Sequence, residues 1–312
     1  MTVKRALLFP GQGAQKVGMA VDLAAAFPEV AELFATADRV SGLPVSATVR
    51  GGPEAKLQDT AFSQPALVLA DLAAFLAFEK THGRLEPAAL AGLSLGEYAA
   101  LAAAGAMDPA EALRLVSLRG RFMAECAAAV PGTMASILGL EAAKVEAAAA
   151  EASSVGVVAA ANYNSPEQTV ISGERAAVEK ACALAKAAGA KRAIPLKVSG
   201  AFHSPLMRPA AERLAPEIER AEVRPARYPV IANATGAAVR EPAEIRRALV
   251  AQVTAPVLWT RSLLACQALG AGEFLELGPG GVLTGLVGRT LQGVKATGLA
   301  TAEAVGKYVP PA

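Results

Sequence analysis

Residues 88–105, AALAGLSLGEYAALAAAG, limit what this chain can become more than any other stretch. The apolar run 88–93 has the length of a buried parallel strand. It turns through Gly92-Leu93-Ser94-Leu95-Gly96 and continues as an alanine- and leucine-rich helix that stops at Gly105. Strand, G-x-S-x-G, helix is the context in which this pattern forms a nucleophile elbow. The glycines suit a strained turn that brings strand and helix close together. Free N–H groups and the helix dipole would favour negative charge on an oxygen reacting at Ser94. Ser94 and Glu97 also have capping-box spacing, so a helix cap and a nucleophile are both open readings.

A chain of 312 residues is long enough for one large α/β domain carrying an insert. Hydrophobic residues make up 53% but aromatics only 4%, which points to helices packed through small side chains. No uncharged run reaches the ~18–20 residues of a bilayer span, so no membrane association is expected. Lys4 and Arg5 are followed too soon by Pro10-Gly11 for a signal-peptide core, and a cytoplasmic location is expected. Cys126, Cys182 and Cys266 are distant and odd in number. They read as buried hydrophobes, neither a disulfide framework nor a metal cluster. A net charge of +2 is too small for a nucleic-acid binder. It leaves room for local basic groups, Lys191-Arg192 or Arg220 with Arg224 and Arg227, that could meet an acidic partner.

The first strand is expected over residues 5–9, ended by Pro10 and the turn Gly11-Gln12-Gly13-Ala14-Gln15. This turn completes neither a dinucleotide nor a Walker phosphate pattern. At the carboxyl end of a parallel sheet it would stand beside the other strand-end loops. Helices are expected around 27–39, from Gln64 with Pro65 at the first position to His82, and from Asp108-Pro109 onward. His82, at a helix end, reads as solvated. From Thr133 the pattern becomes strand 134–138, helix 142–151, strand 156–161, loop 162–166, strand 168–172, helix 175–188, strand 191–196. The order β-α-β-β-α-β is ferredoxin-like. Further elements are a helix 206–220, a strand 228–232, a helix 241–253, a helical stretch with Trp259, a final buried strand 274–277, and a closing helix after Gly281. The fold class is therefore α/β: a discontinuous α/β-hydrolase-like domain, 1–130 and 198–312, with a ferredoxin-like subdomain inserted at 131–197.

A serine hydroxyl needs a base before it attacks a carbonyl. Of two histidines, His203 lies in a glycine-containing loop at an element boundary and is the candidate base. No acidic residue stands out as a third member. A carbonyl or amide could orient the imidazole instead, and Gln252 is a candidate supplier. An oxyanion needs two preorganised N–H donors. Leu95, next after the serine, and the Gln12 turn fit those roles. Arg119, on a largely apolar helix, reads either as a snorkelling surface residue or as a fork for a substrate carboxylate.

These residues carry a family resemblance. FPGQGAQ, SQPAL, GLSLGEYAAL, LRGRFM, NYNSPEQTVISG, GAFHSPLM, QVTAPVLW and ELGPGGVLTGL occur in an order that resembles the malonyl-CoA:acyl carrier protein transacylases of fatty acid synthesis. The chain is more loosely similar to polyketide synthase acyltransferase domains. The resemblance implies Ser94 as acylated nucleophile, His203 as base, the Gln12 and Leu95 amides as oxyanion hole, and Arg119 as partner of the malonyl carboxylate. Gln252 would orient the histidine through its main-chain carbonyl. Gln64, Asn162 and Asn164 fall in matching motifs near the cleft. Leu93 stands where the family commonly has histidine, and Phe202 matches members that take malonyl groups.

The expected activity is a ping-pong transfer from malonyl-CoA to the phosphopantetheine of acyl carrier protein, by a monomer needing no metal or other cofactor. Alternatives are a discrete polyketide-type acyltransferase, a serine acyl hydrolase and a non-catalytic docking scaffold.

Overall fold

The computed structural model describes residues 3–309. Among the described residues ten strands occur: β1 (Lys4–Phe9), β2 (Ala89–Gly92), β3 (Thr133–Leu138), β4 (Val158–Ser165), β5 (Gln168–Gly173), β6 (Arg192–Pro195), β7 (Val230–Ile231), β8 (Ala238–Val239), β9 (Ala271–Leu277) and β10 (Lys295–Leu299). The larger sheet has the order β10-β9-β1-β2-β7-β8. All its pairings are parallel except that of β8 with β7. Side chains alternate across it, as a pleated strand requires. Leu7, Phe9 and Leu90 join one buried cluster, while Ala6, Leu8, Ala89 and Ala91 join another on the opposite face. Burial on both faces explains the near-continuous apolar runs. The two middle strands end level, with Phe9 paired to Gly92. The Gln12 turn and the Ser94 turn therefore leave the same edge side by side.

The smaller sheet is antiparallel, in the order β4-β5-β3-β6. With helices Ala142–Ala152 and Arg175–Ala187 crossing it, this is the ferredoxin-like arrangement, and it has a buried cluster of its own. A bridge from Asn162 to Val257 and the bond from the Tyr163 amide to the Val257 carbonyl (2.9 Å) tie it to the segment between the helices Pro242–Gln252 and Trp259–Ala268.

Several elements depart from the sequence reading. The helix expected from Gln64 begins at Thr60, because Asp59 accepts the Ala61 amide (2.9 Å) and caps it; Pro65 lies inside. The expected loop 162–166 is mostly strand, since β4 continues to Ser165 by pairing with β5 and bridging Val257. β9 is not the last strand. β10 follows it, an edge strand whose Thr297 and Gly298 hide its period. Residues 205–207 form a 3-10 turn before the helix Arg208–Arg220. His82 is half-buried, with Nε2 2.8 Å from the Val305 carbonyl and its ring against Phe78 and Tyr308. Cys126 and Cys266 are buried, whereas Cys182 is only partly so. The helix Thr60–His82 is long and apolar enough to cross a membrane by composition. Here 78% of its most apolar window is buried inside the fold, as in a core helix.

Candidate active site

The elbow forms because nothing bulkier than glycine fits at its base. A Cβ on Gly92 would be driven into the Gly96 backbone, and one on Gly96 would meet the Pro10 carbonyl at 2.8 Å. Ser94 between them holds a left-handed φ of 56°. Asn233, at the end of β7, clamps the turn. Its Oδ1 accepts the Ser94 amide (2.6 Å) and its Nδ2 donates to the Gly92 carbonyl (2.7 Å). The capping-box reading fails: Glu97 accepts the amides of Asn233 and Gln252, and the Ser94 hydroxyl faces the histidine.

Ser94 Oγ lies 2.7 Å from His203 Nε2, and His203 Nδ1 lies 2.9 Å from the Gln252 carbonyl. A carbonyl only accepts, so Nδ1 carries the proton and Nε2 is free to accept the serine proton. His203 is buried, and burial, with the Arg119 charge second, lowers its pKa to about 4. The ring is neutral at physiological pH, the state a general base requires.

Arg119 is 1% exposed, so the snorkelling reading is replaced by a buried guanidinium. Gly120 lets its helix, Pro109–Ala129, approach Thr60–His82; a Cβ there would come within 2.8 Å of the Thr60 carbonyl. Nη1 donates to Gln64 Oε1 (2.6 Å), and Nη2 donates to Ser94 Oγ and Gln252 Oε1 (both 3.0 Å). Nε has no partner. Burial lowers the Arg119 pKa, with Tyr98 and Glu97 opposing the shift.

A cavity of about 430 Å³ opens over the serine. Gln12, Leu93, Ser94, Arg119, Asn162, Asn164, Phe202 and His203 all line it. Gln64 does not; it is fully buried behind Arg119 and steadies it. Asn164 Oδ1 has no partner among the described residues. Leu93 turns an apolar side chain toward Gly11, where a Cβ would meet its Cδ2 at 2.7 Å. Neither the Gln12 nor the Leu95 amide donates to a protein acceptor among the described residues. No group of three or more His, Cys, Asp or Glu side chains suited to a metal ion occurs among them.

Sequence reasoning missed Asn233 and the buried carboxylate of Glu97. The signal for Asn233 was a polar residue directly after an apolar strand. For Glu97 it was an acid on a helix with eight buried positions.

A strained serine at the carboxyl edge of a parallel sheet, with a neutral imidazole against its hydroxyl, is an arrangement suited to acyl transfer chemistry. The acyl transferase domain model matches residues 6–311, and the chain belongs to that family. A malonyl CoA-acyl carrier protein transacylase of Escherichia coli O157:H7 is 45% identical over 94% of this chain and 95% of its own. The solved transacylase of Coxiella burnetii shares 40% identity at a TM-score of 0.93, over 98% of this chain and 96% of that one. A malonyl-transacylase solved in complex with a type II PKS acyl-carrier protein gives 0.92 at 42% identity, over 97% of each chain.

Proposed function

We propose that this enzyme transfers the malonyl group of malonyl-CoA to the phosphopantetheine thiol of an acyl carrier protein, supplying fatty acid synthesis. The observation that carries this reading is the buried Arg119 guanidinium 3.0 Å from the Ser94 hydroxyl inside the cavity. A cation fixed there favours an acyl group with a free carboxylate at its far end.

In the first half-reaction Ser94 Oγ attacks the thioester carbonyl carbon while His203 Nε2 takes its proton. The tetrahedral oxygen gathers negative charge between the amides of Gln12 and Leu95, whose free N–H groups support the role of oxyanion hole. Collapse breaks the C–S bond, and His203 returns the proton to the CoA sulfur. In the second half, His203 takes the proton of the carrier thiol as sulfur attacks the ester, and Ser94 leaves with that proton. The Gln252 main-chain carbonyl keeps the imidazole in the required tautomer. No oxidation state changes, so the reading needs no redox cofactor, and protein amides take the part of a Lewis acid in holding the oxyanion.

Leu93 and Phe202 bound the acyl pocket with apolar surface that disfavours a branched acyl group, and Asn162 and Asn164 offer amides to the pantetheine arm. The proposed units are 1–130 with 198–312, and 131–197, with the cavity at their junction. The monomeric state and cytoplasmic location belong to the same reading. A second reading, transfer to a polyketide carrier protein, draws on the likeness to the transacylase solved with such a partner. Side-by-side transfer rates to the two kinds of carrier decide between them; a rate at least tenfold higher with the polyketide carrier would favour the second (about 1.4 kcal/mol in barrier).

A further inference from the structure

We propose that Glu97 is a positioning residue for malonyl transfer: its carboxylate dictates which end of the Gln252 side-chain amide faces Arg119. The inference rests on the function proposed above. Glu97 is 1% exposed, on the first turn of the elbow helix. Its Oε2 accepts Gln252 Nε2 at 2.8 Å and the Asn233 amide at 3.0 Å.

A carboxylate can only accept, so the amino end of the Gln252 amide must turn toward Glu97. There it also donates to the Ser94 carbonyl at 2.9 Å. The oxygen end is thereby committed to Arg119 Nη2, 3.0 Å away. Turned over, the amide would set two donors face to face at Arg119 and place its oxygen against two acceptors. Both arrangements are costly in a buried site. Gln252 also supplies the main-chain carbonyl beneath His203, and Asn233 clamps the elbow. The bonds to His203 and to the elbow run through the Gln252 main chain and the Asn233 side chain, so the state of the carboxylate bears on the Arg119 end of the site.

Protonation would release the device, because a carboxyl group can donate as well as accept. Burial raises the Glu97 pKa to about 7 against the opposing pull of Gln252, Asn233 and Arg119. The titratable or charged side chains that bear on it are Arg119, from helix Pro109–Ala129, and its neighbour Tyr98. The Gln252 and Asn233 partners are neutral. The competent state is the ionised one, so malonyl transfer should be present above this pKa and decline as pH falls through it.

The test measures kcat and KM for malonyl-CoA across pH with the wild type, Glu97→Gln and Glu97→Asp, alongside thermal melts. The wild type is expected to show an acid limb near 7, which His203, held near 4, does not produce. Glu97→Gln should lower kcat/KM by roughly 10- to 100-fold, the range for a hydrogen bond to a charged group, and lose that limb. Glu97→Asp should recover part of the rate and keep the limb. A Glu97→Gln enzyme within about threefold of wild type, or one that retains the limb, overturns the inference. Should Glu97→Gln fail to fold, a wild-type profile flat from about pH 6 to about pH 8 overturns it equally. A wild type with no malonyl transfer at all would instead overturn the functional reading beneath it.

Discussion

Ser94 and His203 meet hydroxyl to imidazole at 2.7 Å, and both hold left-handed backbone, with φ of 56° and 55°. Among the described residues only Ala20 shares that conformation without being glycine. Such backbone is costly for a side-chain-bearing residue and persists where surrounding contacts over-determine it. Here the contacts are identifiable: Asn233 on both sides of the serine, and the Gln252 carbonyl under the histidine.

The neutral histidine makes serine reactivity a direct readout of its protonation. A neutral phosphonate reagent bypasses Arg119, so its rate of reaction with Ser94 should hold down to about pH 5 and fall through the His203 pKa near 4. In Arg119→Ala the midpoint should move up toward the ordinary histidine value, since a nearby positive charge is gone. Stopped-time mass spectrometry across pH measures both.

Arg119→Ala should reduce malonyl transfer by about 100-fold or more, and acetyl transfer by much less, because acetyl has no carboxylate to pair. Parallel kcat/KM measurements for the two thioesters check this. Equal losses would argue against a carboxylate-binding role.

Asn233→Ala leaves the Ser94 amide and the Gly92 carbonyl without their partners inside the fold. It should cost about 2–4 kcal/mol in denaturant unfolding, two unsatisfied polar groups at about 1–3 kcal/mol each partly offset by relaxation. Transfer activity should fall with it, even at temperatures where the variant is fully folded.

Two glycines separate backbone necessity from mere tolerance. Gly92→Ala has no room against the Gly96 backbone and should give little folded protein. Gly285, inside the helix Val282–Thr290, faces open space. Gly285→Ala should therefore raise stability by about 0.5–1 kcal/mol, with activity retained. Melting curves of the two variants make the comparison.

The elbow was legible because strand, glycines and helix leave local marks on the sequence. The ferredoxin-like unit was legible too, through its alternating β-α-β-β-α-β pattern. β8 and β10 were not: a two-residue strand has no period, and an edge strand interrupted by Gly298 has little. Nor does local pattern reveal that Asn162 sits in a strand: the polar run Asn162-Tyr163-Asn164-Ser165 reads as a loop, yet Asn162 pairs with Val170 of β5 and bridges the distant Val257. The serine and its base could be picked out by residue type and loop context. The Glu97–Gln252–Asn233 network could not, because each bond joins residues more than 130 positions apart.

The central claim is that Ser94 carries the malonyl group between two thiols. Intact-protein mass spectrometry after brief exposure to malonyl-CoA tests it most directly. The account predicts a single malonyl adduct that disappears on addition of holo acyl carrier protein and is absent in Ser94→Ala. No adduct on the wild type, or an adduct of equal yield on Ser94→Ala, would contradict it.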